Sequence, residues 1–171
     1  MIKKSNIVLI GFMGTGKSTI GKSIAKRLDL AFIDIDMLIE SRMNQTISGI
    51  FEKFGEKYFR ELEKKVVKEY SEKEGQVIST GGGVVLDVEN MENLKSSGIV
   101  IMLKARPEII FRNVSKDQNR PLLKSDDPME RIIELLEKRQ EYYKNNHYEI
   151  EVSDLAVDDV VNEVIRIYDS N

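Results

Sequence analysis

A glycine-rich segment near the start of the chain has the residue types and spacing of a phosphate-binding loop. The stretch GFMGTGKS, residues 11–18, matches the pattern G-x-x-x-x-G-K-[ST]. Glycines let successive backbone N–H groups point at phosphate oxygens. Lys17 can reach the β- and γ-phosphates, and the Ser18 hydroxyl is placed to bind Mg²⁺. Because a tight turn alone would not require Lys17 and Ser18 at these offsets, the segment predicts binding of ATP or GTP.

Two carboxylates, Asp34 and Asp36, close the segment AFIDID, which we predict to be a strand. Alternate side chains of a strand point to the same side, so both carboxylates are expected to face the ligand crevice at the end of the sheet. One could orient the water ligands of Mg²⁺, and the other could accept the proton of a substrate hydroxyl. The alternative is a strand end with two solvated acids.

Three consecutive glycines, Gly81, Gly82 and Gly83, follow another predicted strand. Their conformational cost indicates either a close approach of the backbone to a ligand or a tight turn, and we favour the ligand. Many P-loop proteins carry an acidic residue for magnesium at this position, whereas here the strand ends in Ser79 and Thr80. We therefore expect Asp34 to hold the magnesium, through water.

Arginines occur in three segments that could contact an anionic ligand. Arg60 and Glu63 in GEKYFRELE are three residues apart, hence on one face of a helix. Arg120 in the polar loop SKDQNRPLLKSDD could close over the phosphates and neutralise charge on the transferred group. Arg139 in KRQEYY follows that loop on a helix whose buried face is predicted to include residues 132, 133, 135 and 136. Exposed ion pairs, or a solvated loop arginine, are the alternative interpretations.

Strand and helix patterns alternate along the chain, which predicts a parallel sheet covered by helices on both faces. The predicted strands are NIVLIG from Asn6, AFIDID from Ala31, VIST from Val77, GIVIML from Gly98 and YEIEV from Tyr148. Two segments interrupt the alternation: a helix-rich stretch over about 36–74, with a long helix over 56–74, and the polar loop that contains Arg120. Both are expected to be insertions around a site.

Composition narrows the class of protein. The 171 residues are 41% hydrophobic and 32% charged, with a net charge of −3 and no cysteine. This composition is typical of a globular protein with one core. It gives no basic excess for nucleic acid, no apolar run long enough for a membrane span, and no thiol for a disulfide or metal site. We expect a cytoplasmic protein, monomeric by default.

Six motifs in this order and spacing resemble those of the shikimate kinase family: GFMGTGKSTIGKSIAKRL, DIDMLIE, GEKYFRELE, ISTGGGVV, NRPLL and RQEYY. The resemblance covers essentially the whole chain. It implies a single α/β domain over 1–171 with the three-layer P-loop NTPase fold and a five-stranded parallel sheet in the order 2-3-1-4-5. It also implies a substrate-binding region at about 35–65 and a lid at about 113–126.

The resemblance implies ATP-dependent phosphorylation of the 3-hydroxyl of shikimate, with Mg²⁺ as cofactor, in aromatic amino-acid biosynthesis. The implied catalytic residues are Lys17, Asp36 and Arg120. The implied ATP-binding residues are Gly14, Thr15, Gly16, Lys17, Ser18, Thr19, Arg112 beside the base, and Arg120 from the lid. The implied shikimate-binding residues are Asp36, Arg60, Gly82 and Arg139, with Glu63 holding Arg60 in place and Gly81 and Gly83 flanking Gly82.

Three other classes of protein fit the sequence less well. A gluconate or adenylylsulfate kinase would share the phosphate-binding loop but not the two arginines together with TGGG. A regulatory nucleotide-binding module would be expected to have lost Lys17, Asp36 or Arg120, and all three are present. A nucleic-acid-dependent ATPase would need a basic groove.

Arg106 departs from the family pattern, in which a small or polar residue is frequent at this position.

Overall fold

Five parallel strands form one sheet in the computed structural model, which describes residues 5–116 and 125–171. The order across the sheet is β2-β3-β1-β4-β5, and each neighbouring pair is parallel. This confirms the predicted α/β fold class and strand order. The strands are β1 (Asn6–Ile10), β2 (Ala31–Asp34), β3 (Gln76–Ser79), β4 (Gly98–Lys104) and β5 (Tyr148–Glu151).

Helices cover both faces of the sheet, as parallel strands require. Side chains of α1 and α7 form one hydrophobic cluster with the sheet, and side chains of α2 to α6 belong to a second cluster. The helices are α1 (Lys17–Leu28), α2 (Ile35–Met43), α3 (Ile47–Ser71), α4 (Val88–Ser97), α5 (Pro107–Val114), α6 (Pro128–Tyr143) and α7 (Val157–Asp169), with a 3₁₀ turn at Val84–Leu86.

Strand β1 shows how the two clusters divide. Ile7 and Leu9 pack with α1 and α7, whereas Val8 and Ile10 pack on the other face, and all four side chains are fully buried. A strand buried on both faces is a continuous apolar run, which is the pattern of residues 6–10 in the sequence. Because β1 lies in the middle of the sheet, the loop that follows it opens at the centre of the sheet edge.

The helix-rich stretch between β2 and β3 contains two helices and no strand, as predicted. Helix α3 begins earlier than the predicted helix, at Ile47, and ends at Ser71. It bends at Gly55, whose φ of +85° is outside the helical range. None of the helices in the described ranges combines the length and apolarity needed to cross a bilayer.

Candidate active site

The loop between β1 and α1 has a curled backbone suited to phosphate. Gly14 and Gly16 have φ values of +78° and +91°, which L side chains rarely adopt, and α1 begins directly afterwards at Lys17. The Lys17 ammonium group donates to the carbonyl oxygens of Gly11 at 2.7 Å and Phe12 at 2.8 Å. It therefore lies inside the curl, beside the amino terminus of α1, where both the charge and the helix dipole favour an anion.

Asp34 and Asp36 reach the same cavity, but not as two residues of one strand. Strand β2 ends at Asp34, whose Oδ1 caps α2 by accepting a hydrogen bond from the backbone N–H of Met37 at 3.1 Å. Asp36 is in the first turn of α2. The prediction of a strand through Asp36 was wrong, because the Asp34 side chain satisfies a free N–H and starts the helix there. Both aspartates line the cavity beside Lys17.

Ser18 and Asp34 form an oxygen-rich corner next to the phosphate-binding loop. The Ser18 hydroxyl donates to Asp34 Oδ2 at 2.6 Å, and the Ser79 hydroxyl lies 3.5 Å from that of Ser18. Hydroxyl and carboxylate oxygens are ligands that suit Mg²⁺, which usually keeps several waters and phosphate oxygens. Residues 5–116 and 125–171 contain no cluster of three or more acidic or histidine side chains able to hold a metal ion alone. The corner therefore fits a magnesium ion that arrives with a nucleotide.

Two arginines converge on a smaller cavity that adjoins the first. Arg60 comes from α3 and Arg139 from α6, and both line this cavity with Gly82. Arg139 is only 4% exposed, and its Nη1 is buried with no hydrogen-bond acceptor among the described residues. A buried guanidinium nitrogen without an acceptor is costly. The cavity is consequently suited to a ligand that brings an anionic group.

Helix α6 presents a different face to the core from the one predicted. The buried residues are Ile132, Leu135, Arg139 and Tyr143, at intervals of three and four, whereas Ile133 is 41% exposed. The prediction of Ile133 as a core residue was wrong, because it counted every apolar residue of the segment. The spacing from Ile132 and Leu135 puts Arg139 on the same face of α6, which brings it into the cavity.

Glu63 lies behind the two arginines and is fully buried. Its Oε1 accepts a hydrogen bond from Nη1 of Arg60 at 2.9 Å, while Nη2 of Arg60 donates to the more exposed Glu56 at 3.2 Å. Burial raises the pKa of Glu63 to about 7, although the positive charge of Arg60 opposes the rise. Glu63 therefore contacts Arg60 as the sequence predicts, but as a buried carboxylate rather than a surface partner.

Tyr143 is a site residue that the sequence analysis missed. It is 3% exposed, and its hydroxyl donates to the carbonyl oxygen of Gly82 at 2.5 Å. This bond fixes the orientation of the peptide after Gly82, in the glycine segment between the two cavities. Burial raises the pKa of Tyr143 to about 12, so the phenol remains a donor at neutral pH. The signal was its spacing of four residues from Arg139, which puts both on one helix face.

A third cavity opens on the other side of the phosphate-binding loop. Its lining includes Thr15, Arg112, Val152 and Leu155, and it shares Gly14 with the first cavity. Apolar side chains beside a phosphate-binding loop can accommodate a nucleotide base. Arg112 thus lies where a base-stacking residue is required, and that role stays a prediction.

Each predicted site residue in the described ranges lines at least one of these cavities. Arg120 and most of the predicted lid over 113–126 lie outside the described residues. The first cavity has a volume of about 410 Å³, enough for a small ligand beside phosphates. It includes Gly14, Gly16, Lys17, Ser18, Thr19, Asp34, Asp36, Gly81 and Gly82. The smaller one adds Arg60, Glu63, Gly83 and Arg139, and the third adds Thr15 and Arg112.

Substituting Gly83 by alanine should impair the contact of Arg60 with the acceptor and leave the phosphate-binding loop unaffected. A Cβ at Gly83 would overlap Nη2 of Arg60, so the guanidinium would have to move. The backbone φ at Gly83 is −100°, which alanine adopts without strain. We expect the KM for an anionic acceptor to rise about tenfold or more, while the KM for ATP changes less than twofold. Equal rises in both would contradict this assignment of Arg60.

A parallel sheet in the order 2-3-1-4-5, with a phosphate-binding loop after β1 and an acceptor cavity beside it, defines a small-molecule kinase of the P-loop class. The family model described as Shikimate kinase matches residues 13–169. A shikimate kinase of Caldanaerobacter subterraneus subsp. tengcongensis is 52% identical over 163 residues, which cover 95% of each chain. This chain therefore belongs to the shikimate kinase family.

Solved structures of the family have the same architecture. The shikimate kinase of Acinetobacter baumannii, solved in complex with shikimate, superposes with a TM-score of 0.94 at 37% identity, covering 98% of this chain and 94% of that one. The shikimate kinase of Aquifex aeolicus gives a TM-score of 0.84 at 37% identity, with 97% of both chains covered.

Proposed function

We propose that this protein transfers the γ-phosphoryl group of ATP to the 3-hydroxyl of shikimate, giving shikimate 3-phosphate and ADP in aromatic amino-acid biosynthesis. The observation that carries the assignment of the acceptor is the buried Nη1 of Arg139, which has no acceptor among the described residues, in a residue that lines a cavity together with Arg60. Shikimate is a small carboxylate with three hydroxyls. Guanidinium groups provide the forked donors that a carboxylate accepts best.

Shikimate is held between two arginines at one end of the acceptor cavity and an aspartate at the other. Arg60 and Arg139 bind its carboxylate, and the backbone of Gly82 approaches it from the glycine segment. Asp36, which lines both the acceptor cavity and the cavity beside Lys17, accepts a hydrogen bond from the reacting hydroxyl. Asp36 thereby directs the hydroxyl oxygen toward the phosphates and is placed to receive its proton.

The phosphates are held by residues 14–19. Backbone N–H groups of the loop contact them, and Lys17 neutralises charge that develops on the transferred group. Ser18 would hold Mg²⁺ directly and Asp34 would hold it through water. The ion would supply positive charge that offsets the negative charge of the phosphates. Arg120 is outside the described residues, and its contact with the phosphates stays a prediction.

Replacing Arg106 by alanine should weaken ATP binding selectively. Arg106 holds Asp154 with two bonds of 2.7 and 2.9 Å, and its backbone N–H donates to Ser153 at 2.8 Å. These contacts hold in place the segment that forms one wall of the third cavity, where we expect the base of ATP to bind. Because the pair is exposed, we expect a rise of about two- to fivefold in the KM for ATP, with no change in the KM for shikimate. Arg166→Ala, which removes an exposed arginine remote from the cavity, should change neither constant.

The proposed activity is tested by measuring ADP release with Mg-ATP and shikimate, gluconate, AMP or buffer alone. Release that depends on shikimate and is absent from the other reactions supports the proposal. Release with gluconate instead would favour a different small-molecule kinase. No acceptor-dependent release would favour a regulatory nucleotide-binding module.

Four further expectations remain predictions: the monomeric state, the cytoplasmic location, the single domain over 1–171, and the absence of nucleic-acid and membrane partners.

A further inference from the structure

The Glu63 carboxylate is buried at the centre of the charged groups around the acceptor cavity. Its Oε1 accepts from Arg60, whereas its Oε2 has no hydrogen-bond partner among the described residues. Oε2 lies 3.2 Å from the position that a Cβ on Gly81 would occupy, and the two Asp36 carboxylate oxygens lie 2.8 and 3.3 Å from the same point. The bare oxygen of Glu63 and the carboxylate of Asp36 thus both approach Gly81, and the negative charge of Asp36 acts on Glu63.

The charges around Glu63 balance only before a substrate enters. The charged groups that act on it are Asp36 from α2, Arg60 from α3 and Arg139 from α6. Glu56 pairs with Arg60 but is half exposed to water. The glycine segment, residues 81–83, contributes no charge, and Tyr143 of α6 is neutral, since burial raises its pKa. Two guanidinium groups therefore face two carboxylates, those of Glu63 and Asp36.

The carboxylate of shikimate would be a third anion beside the same two guanidinium groups. Resting on the function proposed above, we propose that shikimate binding is coupled to uptake of one proton from solvent by Glu63. The proton is added to Oε2, from which it can be donated to Asp36, while Oε1 continues to accept from Arg60. No bond other than this O–H forms or breaks, and the proton returns to solvent when the ligand leaves. Glu63 is thus a positioning residue. Once protonated, it keeps its hydrogen bond to Arg60 but leaves the positive charge of Arg60 to the carboxylate of shikimate.

The direction of the expected pH dependence follows from the burial of Glu63. Burial raises the pKa of Glu63 to about 7 in the free protein, and Asp36 adds to the rise. A bound carboxylate raises the pKa further, because it adds negative charge and excludes water. A ligand that raises a pKa binds with proton uptake, so its affinity falls as the pH rises between the free and the bound pKa values. Below pH 6, both states are protonated and the dependence disappears.

Calorimetric titration of shikimate into the protein, without nucleotide, measures the coupling. The number of protons taken up is obtained by repeating the titration in buffers of different ionisation enthalpy. We expect about half a proton per shikimate at pH 7, close to none at pH 6, and close to one at pH 8. The dissociation constant should rise about fivefold between pH 7 and pH 8 and approach a tenfold rise per pH unit above pH 8. Omitting nucleotide removes the titration of ATP phosphates from the result.

Two variants identify the group that takes up the proton. Glu63→Gln keeps an oxygen for Arg60 and removes the titration, so proton uptake and the pH dependence should both be lost. Glu61→Gln removes the same charge from an exposed position on α3 and should behave as the wild type. Shikimate binding without proton uptake in the wild type would overturn the coupling and leave the function intact. Unchanged uptake in a folded Glu63→Gln would also overturn it. No shikimate binding by the wild type would instead contradict the proposed function.

Discussion

Replacing Asp36 by asparagine is expected to lower kcat by about 10²- to 10⁴-fold, the range for loss of a group that accepts a proton in the transition state. Asparagine has nearly the same size and shape as aspartate, so the shape of the acceptor cavity should not change. The amide can still contact the hydroxyl, but it cannot receive the proton. The measurement is the steady-state rate of ADP release at saturating ATP and shikimate.

Nucleotide binding distinguishes this result from general damage to the site. Asp36 is in the first turn of α2, whereas residues 14–19 form the loop for the phosphates. We therefore expect the affinity of Asp36→Asn for ATP to change less than threefold. Asp158→Asn, which changes an exposed aspartate of α7, is the matched control and should keep full activity. Loss of ATP binding by Asp36→Asn would contradict the assignment of Asp36 to the acceptor.

Replacing Arg139 by lysine is expected to raise the KM for shikimate about 30-fold or more. Truncating one partner of a buried charged pair costs about 2–5 kcal/mol, and lysine loses the forked geometry while keeping the charge. The side chain is 4% exposed, so water does not replace the missing hydrogen bonds. The measurement is the KM for each substrate, together with a thermal melt that reports folding.

The neighbouring Lys138 provides the control for this substitution. It lies on the exposed side of α6 in an ion pair with Glu134, so Lys138→Ala should change neither KM. In Arg139→Lys, the KM for ATP should remain within about twofold of the wild type, because Arg139 lines the acceptor cavity and its contact with the loop is to the ring of Phe12, outside the phosphate-binding residues 14–19. A KM for shikimate that stays at the wild-type value in a folded Arg139→Lys would show that the carboxylate is bound elsewhere.

Local sequence was sufficient to predict the phosphate-binding loop and the sheet. The loop geometry is fixed by glycines and a helix start that lie within eight residues, and buried parallel strands are continuous apolar runs. The place where β2 ends was not predictable in the same way. The segment after Ala31 is apolar at alternate positions, but the capping bond from Met37 to Asp34 ends the strand two residues early.

The acceptor cavity depends on contacts between distant segments. Arg60 and Arg139 are brought together because α3 and α6 both pack on the same hydrophobic cluster. A pair such as Arg60 and Glu63 has the same spacing on an exposed helix as on a buried one, so its burial could not be predicted from the spacing. The hydrogen bond from Tyr143 to Gly82 joins residues 61 positions apart. The helix spacing puts Tyr143 on the same face as Arg139, but it does not indicate Gly82 as the partner.

The most direct test of the proposed function is the position of the phosphate in the product. After incubation with Mg-ATP and shikimate, a two-dimensional ¹H–³¹P correlation spectrum shows which ring proton is coupled to phosphorus. We expect one phosphorylated product, with phosphorus coupled to the proton on C3, because Arg60, Arg139 and Asp36 hold the ring in one orientation. Phosphate on another hydroxyl, a mixture of positions, or the absence of a phosphorylated product would contradict it.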